Sequence, residues 1–371
     1  EREMLSHQLL RLMETVKDGD FEPRIYYRNA ASVSTDTTFS QFGQSLEPVE
    51  FSAVPLTMYE EMNAQPFESV SALLESYYAT KNTLTRIRQK SSDLRRIVQT
   101  ALDRSRKKYD LQEKQLRDTE KRDKYKVYGD LLTTYGYSLT GGEKSFTCEN
   151  YYTGKEVTIP LDETKSAMDN AKRYFEKYAK LKRTFEALTV QIEETRQEIE
   201  HLESVSNALD IARQEEDLSL IRRELSECGF VKKHAEAKSS RGKVKTKSKP
   251  FHYISSDGFH MYVGRNNYQN DELPFHFANG GDWWFHAKGT AGSHVIVKTE
   301  GKELPDRTFE EAAALAAWYS KAKDQAKAEI DYIERKHIKK PNGSKPGFVV
   351  YYTNYSMTIV PDISGLKEIE D

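Results

Sequence analysis

A chain of 371 residues, 37% hydrophobic and 31% charged, has room for about two to three domains but too little apolar mass for one globule, which points to extended helices with long solvated faces. A net charge of −2 excludes a polycation, so any nucleic-acid contact has to come from local basic patches. Cys148 and Cys228 lie far apart and outside metal-ligand spacing, which excludes a disulfide framework and fits a reducing compartment; no apolar run approaches the ~18 residues of a membrane span.

In chain order, residues 2–18 read as an amphipathic helix with Leu5, Leu9, Leu10 and Met13 on one side. Two strand-like runs follow, "RIYYRN" and "VEFSAVPL", around a polar loop. Residues 1–57 hold too little apolar mass to fold alone and are expected to be the end of a larger α/β half whose beginning precedes Glu1.

From about residue 68 to 133 the pattern is helical, with no Gly before Gly129 and no Pro. At ~1.5 Å per residue such a helix could reach roughly 90 Å. Leu84, Ile87, Leu94, Ala101, Leu102, Tyr109 and Leu116 form a stripe with polar interruptions. A second helix is cleaner: Tyr174, Tyr178, Leu181, Phe185, Leu188, Ile192, Thr195, Ile199, Leu202, Ser206 and Leu209 step by fours and threes, as a heptad seam does. Between them "SFTCENYYTGKEVTIPLD" predicts a β-hairpin through Thr153-Gly154. The expectation is an antiparallel coiled-coil arm over 58–228 with a β-containing tip at about 136–163. An intramolecular coil of this kind favours a monomer.

Charge fits that pairing. Residues 86–108 are net +7 and residues 186–203 net −5, so a fold about residue ~147 sets opposite charges side by side. Nearer the tip, residues 114–126 are net +3 and 172–183 net +5, and both helices are basic. They repel unless something anionic lies nearby, which makes Lys121, Arg122, Lys172, Arg173, Lys180, Lys182 and Arg183 candidate phosphate contacts. After a short helix in "DLSLIRRELSECGF", residues 229–249 read as a flexible basic linker, either a tether or a sequence-blind phosphate contact.

Residues 250–371 change composition to an aromatic-rich α+β module. "HYISSDGFHMYVGR" predicts a hairpin through Asp257-Gly258. "DWWFHA" and "SHVIVK" predict two more strands. "TFEEAAALAAWYSKAKDQA" predicts a helix with Thr308 as N-cap, and "GFVVYYT" and "SMTIVPD" predict closing strands. Five of nine histidines fall within 252–294, yet no H-x-x-x-H or C-x-x-C pair occurs, so neither metal nor cofactor is expected. Ser293, His294 and Asp282 could suggest a hydrolase, but adjacent strand residues point to opposite faces and no nucleophile elbow is present. Binding fits better than catalysis. Arg265, Asn266 and Asn267 make a donor-rich turn; His286, Lys288, Ser293 and His294 are candidate phosphate or sugar donors beside Gly289 and Gly292; Arg335, Lys336, Lys339, Lys340 and Lys345 line a loop stiffened by Pro341 and Pro346. Of Trp283 and Trp284, adjacent on a strand, at least one belongs in a core.

"VGRNNYQND", "DWWFHAKGTAGSHVIVK" and "RKHIKKPNGSKPGFVVY" together resemble the C-terminal RNA-binding module of the NFACT family. "FSAVPLT", "YYATK" and "YYTGKEVTIPLD" with "NAKRYFEKYAKLKR" resemble the rest of that family. The resemblance implies an adaptor that binds a large ribosomal subunit obstructed by peptidyl-tRNA and recruits alanyl-tRNA, so that the stalled chain is tailed with alanine. Its implied partners are rRNA and tRNA, and its implied place is the cytoplasm. Surface-exposed relatives are described as anchorless adhesins that bind fibronectin. The family's N-terminal core, with its tRNA-contacting Asp-Arg pair, would precede Glu1. The chain is therefore expected to keep RNA contacts without tailing activity of its own.

Overall fold

The computed structural model describes residues 2–27, 48–59, 62–232 and 248–369. The polar loop expected between the first two strands, at 28–47, and most of the expected basic linker, at 233–247, lie outside the described residues. The chain forms two compact units, Glu1–Gln99 with His201–Asp371, and Thr100–Glu200.

In the first unit, helix α1 (Arg2–Asp18) leaves Leu9, Leu10 and Met13 exposed. Strands β1 (Arg24–Tyr27), β2 (Pro48–Ser52) and β3 (Asn63–Pro66) form an antiparallel sheet in the order β2-β1-β3. β3 reads "NAQP", too polar and too short for the period-2 pattern that announced the other two. The sheet buries Ile25 and Tyr27 against Leu73 and Tyr77 of helix α2 (Val70–Asp118), the apolar mass that the strands lack by themselves.

In the Thr100–Glu200 unit, the helix expected to run unbroken to residue 133 is interrupted. A 3-10 turn, Thr119–Lys121, separates α2 from α3 (Arg122–Tyr135). Buried Thr119 donates its hydroxyl back to the Leu116 carbonyl, and with neither Gly nor Pro there the sequence carries no mark of the break. The seam of α2 here runs through polar residues: Ser105, Gln112 and Thr119 are buried along with Leu102. Ser105 donates to Glu198 at 2.6 Å. Helix α4 (Ala167–Ile211) turns every position of the expected heptad stripe inward, from Tyr174 to Leu209.

The hairpin is β4 (Ser145–Asn150) with β5 (Lys155–Pro160), closed at Gly154, whose φ is +66. Its inner face sets Phe146 opposite Ile159 and Cys148 opposite Val157. That face packs on Tyr128, Leu131, Leu132, Ala171 and Tyr174. Gly129 permits close approach of α3 and α4, since a Cβ there would meet the Phe175 ring at 2.8 Å.

The C-terminal module begins against α5 (Glu215–Glu227), which holds Arg86 and Lys90 of α2 through Glu215. It carries a seven-stranded antiparallel sheet in the order β11-β10-β8-β9-β7-β6-β12. The members are β6 (Phe251–Ile254), β7 (His260–Val263), β8 (Trp283–Ala287), β9 (Val295–Val297), β10 (Ala328–Glu334), β11 (Tyr355–Ile359) and β12 (Lys367–Ile369). A short helix, α6 (Asn267–Glu272), continues as one π-turn, Leu273–Phe277. Helix α7 (Asp306–Trp318) covers one face of the sheet over Phe285, Val295, Val297 and Ile330. The other face buries Trp284, Ile296 and Ile333 beneath Leu273, Ile338 and Tyr351.

Two expectations are corrected. Thr308 is not the N-cap of α7; it lies inside the helix, fully buried, and donates to Asp257 at 2.7 Å, while Pro305 occupies the cap. "GFVVYYT" is not a closing strand. It makes one isolated bridge, Lys339 to Val350, and lays Val349 and Tyr351 under the sheet. The strand in that place is β10, whose "AEIDYIE" carries too many carboxylates to stand out.

Candidate nucleic-acid interface

The turn after β7 is packed from within. A Cβ at Gly264 would meet Asn270 Oδ1 at 2.2 Å, so the backbone passes where a side chain could not. Arg265 turns inward, its guanidinium 4.2 Å over the Phe251 ring and 3.3 Å from Gln214 Oε1. Asn266 caps α6 by accepting the Gln269 N–H at 3.1 Å. Asn267 donates to Glu224 Oε1 and accepts from the Ser204 hydroxyl, both at 2.7 Å. Ser293 and His294 are buried as well, and His294 Nδ1–H donates to the Asn270 carbonyl at 2.7 Å.

Five expected contact residues, Arg265, Asn266, Asn267, Ser293 and His294, therefore face the interior. Their side chains pack inside the fold, and the expectation of outward-facing donors is corrected for them. The histidines are also uncharged at neutral pH. Burial, and after it the neighbouring His286, pushes His294 down to about 3. Burial likewise lowers His286, which is half-buried and stacked on Trp284. Trp284 is fully buried, and Trp283 packs edge-on against Phe309 at 4.8 Å, so both tryptophans are packing residues. Ser293, His294 and Asp282 make separate contacts. Asp282 accepts from Lys298 at 2.6 Å and from the N–H groups of Thr299 and Asn279.

The basic loop after β10 is clamped by Asp271, a residue of "VGRNNYQND" that charge counting passed over. One Asp271 oxygen pairs with Lys340 and the other accepts the Gly347 N–H at 3.0 Å. Gly347 has φ +80 and sits so close to Asn267 that a Cβ would meet its Oδ1 at 2.8 Å. Arg335 is turned inward, its Nε donating to the Pro274 carbonyl beside Phe275. Lys336, Lys339 and Lys340 are exposed and Lys345 is half-buried; Lys340 pairs with Asp271 and Lys336 with Glu334. Lys288 is exposed, 3.5 Å from Ser356 and near the buried Asp331. It does not join the loop: Trp283 pairs with Glu334 and Ala287 with Ile330, which puts Lys288 and Arg335 at opposite ends of the β8–β10 ladder.

In the helical unit, Lys172, Arg173, Lys180, Lys182 and Arg183 of α4 are exposed, as is Lys121. At 100° per residue, Lys172, Arg173, Lys180 and Arg183 share one outward face of α4. Arg173 also pairs with Asp162 at 3.1 Å. Arg122 departs from the group, half-buried with its guanidinium 3.9 Å above Phe185. Lys177 lies over Tyr125 and Tyr174, and Lys124 over Tyr128. Two of these contacts, Arg122 over Phe185 and Lys177 over Tyr125, cross between α3 and α4, so part of the positive charge where two basic helices meet rests on aromatic faces. Among the described residues no group of three His, Cys, Asp or Glu side chains could hold a metal ion, and no helix is long and apolar enough to cross a membrane.

The family profile described as NFACT N-terminal and middle domains matches residues 1–244, and that described as NFACT protein RNA binding domain matches residues 249–352. The chain belongs to the NFACT family. Among curated NFACT relatives it is 40% identical over 327 residues to the Rqc2 homolog RqcH of Streptococcus suis (strain 05ZYH33), which covers 88% of this chain and 58% of the relative. It is 36% identical over 306 residues to the Rqc2 homolog RqcH of Bacillus subtilis (strain 168), covering 81% of this chain and 52% of the relative. The chain thus spans little more than half the length of these relatives. Among solved structures it resembles the C-terminal part of the fibronectin/fibrinogen-binding protein from Streptococcus suis, with TM-score 0.57 and 35% identity, covering 76% of this chain and 99% of that one. The NFACT RNA-binding stretch contains the buried asparagine turn, the Asp271 clamp and the basic loop.

Proposed function

We propose that this chain is the RNA- and ribosome-binding part of a ribosome quality control adaptor, not an enzyme, and that it acts in the cytoplasm as a monomer. In this reading it grips the obstructed large subunit and tRNA, and so supports alanine tailing of the stalled chain by the longer protein. Residues 1–57 close the N-terminal half, 58–228 form the arm, 229–249 the linker and 250–371 the RNA-binding module.

The observation that carries the reading is the clamped loop. A scaffold of buried Asn267 and half-buried Asp271 fixes the backbone at Gly347 and leaves Lys336 and Lys339 in solvent. A stiff cationic loop loses little entropy on meeting a phosphate backbone. The outward face of α4 at Lys172, Lys180 and Arg183 supplies a second contact; Lys121 and Lys182 in the same unit and Lys288 in the C-terminal module are further phosphate contacts in this reading. The test is co-sedimentation with purified large subunits. Changing Lys336, Lys339 and Lys345 together to Glu is expected to weaken binding at least tenfold at ~0.1 M salt, and unchanged co-sedimentation refutes this placement.

A second reading, binding to fibronectin, draws on the name of the Streptococcus suis structure. Surface plasmon resonance with purified fibronectin separates the two. Signal that survives ~0.5 M salt favours specific capture, whereas complete loss marks a charge-driven contact.

A further inference from the structure

The hairpin end of the Thr100–Glu200 unit differs in chemistry from the helices that carry it. Residues 136–166 hold five carboxylates and three lysines, net −2, between helical stretches of net +3 and +5. Two of the three lysines are engaged locally, Lys144 with Glu163 and Lys165 with Asp162. On the solvent face of the hairpin, Glu149 stands directly opposite Glu156, and among the described residues neither has an ion-pair partner. Like charges in that register are unfavourable, so a cation placed between them would relieve the pair.

At the turn end of the hairpin, on the side of α3, lies an aromatic cluster in which Tyr137, Tyr151 and Tyr152 are exposed. Tyr151 and Tyr152 pack with their rings tilted at 42° and centroids 4.5 Å apart, and Tyr135 lies 6.5 Å from Tyr151. Tyr137, two residues beyond Tyr135 in a 3-10 turn, is 88% exposed. The Tyr152 hydroxyl donates to Asp130 at 2.9 Å, which holds that ring in place and keeps a further carboxylate nearby. Glu143 is fixed by the N–H groups of Thr140 and Gly141, which lower its pKa and keep it ionised. Rings presented in this way suit stacking by a guanidinium or by a nucleobase. The carboxylates decide between them, because a phosphate backbone would be repelled by Glu149, Glu156 and Asp130 while Arg and Lys side chains would be attracted.

We infer that the hairpin knob is a docking surface for a Lys/Arg-bearing protein segment, distinct from the cationic surfaces proposed above for RNA. Guanidinium groups lie on Tyr137, Tyr151 and Tyr152, and ammonium or guanidinium groups neutralise the Glu149–Glu156 pair. The test uses the full chain, a fluorescent nonapeptide of alternating Arg and Gly, and a single-stranded RNA dodecamer, each titrated at ~0.1 M salt. Two variants, Tyr137→Ala with Tyr151→Ala, and Glu149→Lys with Glu156→Lys, alter solvent-exposed side chains, and thermal melting verifies that both remain folded. A loss of peptide affinity of at least threefold in both variants, with RNA affinity changed less than threefold, supports the assignment. Tyr137→Phe, which keeps the ring, is expected to bind the peptide as the parent does. Peptide affinity that is insensitive to either variant, or RNA affinity that falls with it, overturns the proposal, the latter outcome making the knob part of the RNA surface.

Discussion

Asn267 donates its side-chain amide to Glu224 Oε1 at 2.7 Å, and His201 Nε2 lies 2.7 Å from the same oxygen. The start of α6, helix α5 and the C-terminal part of α4 therefore share one buried carboxylate. Glu224→Ala removes the acceptor from both partners at once. Breaking a buried pair in this way costs about 3–5 kcal/mol. All three tryptophans belong to the C-terminal module, so tryptophan fluorescence in a urea titration reads the loss directly.

The same carboxylate sets a pH dependence. Burial by itself lowers the His201 pKa, but hydrogen bonds with Cys228 and Glu224 outweigh it and hold the group above its ordinary value, with Lys345 opposing. A folded pKa above the unfolded one, about 6.5, contributes stability that is complete below pH ~6.5 and is lost as pH rises through the folded value. The stability advantage of the parent over His201→Gln should therefore shrink as pH rises from about 6. An advantage that grows with pH would contradict the assignment.

Asp282 behaves in the opposite sense. Burial raises its pKa, but Lys298 and the N–H groups of Thr299 and Asn279 together bring it below the ordinary carboxylate value. Its contribution is present above the unfolded pKa of about 3.9 and is lost as pH falls through the folded one. Asp282→Asn should destabilise the module by about 2 kcal/mol at neutral pH and by much less in acid, as measured by denaturation at pH 7 and pH 3.

Gly129→Ala sets two effects against each other. Replacing a mid-helix Gly by Ala favours the helix by about 1 kcal/mol. The new Cβ would stand 2.8 Å from the Phe175 ring, and overpacking of this kind costs about 1–3 kcal/mol. The clash should win, lowering the melting temperature of the helical unit followed by far-UV circular dichroism while leaving the tryptophan signal of the C-terminal module unchanged.

On the outer face of α4, reversing Lys172, Lys180 and Arg183 to Glu should weaken RNA binding uniformly across sequences. Each phosphate contact contributes about 0.7–0.9 to the slope of log affinity against log salt. The slope should therefore flatten by about 2 to 3. A lowered affinity with an unchanged slope would assign these residues to folding instead.

Much of the fold was legible because it rests on periodicity. The α4 stripe from Tyr174 to Leu209 and the hairpins closed at Gly154 and Gly258 follow from local patterns that need no partner to be seen. The break at Thr119, strand β3 and strand β10 were hidden because nothing local distinguishes them: Thr119 makes a bond that Ser or Thr can make in any helix, and β10 is strand by virtue of pairing with β8 and β11. The candidate site was legible by composition but not by direction. "RNN" reads as a cluster of donors, but Arg265 and Asn267 donate inward to Gln214 and Glu224, 51 and 43 positions away, and Asn266 accepts the Gln269 N–H.

Sequence alone determined the helical seams, the hairpin turns and the net charge of each stretch, since these depend on residue type and spacing along the chain. Tertiary structure decided which polar groups remain free to meet a partner. A buried donor must find an acceptor within hydrogen-bond distance or bear the cost of desolvation, and for Asn267, His294 and Arg335 that acceptor comes from elsewhere in the fold. What is left to solvent, Lys336 and Lys339 on the clamped loop and the tyrosines of the hairpin knob, is the remainder after those internal demands are met.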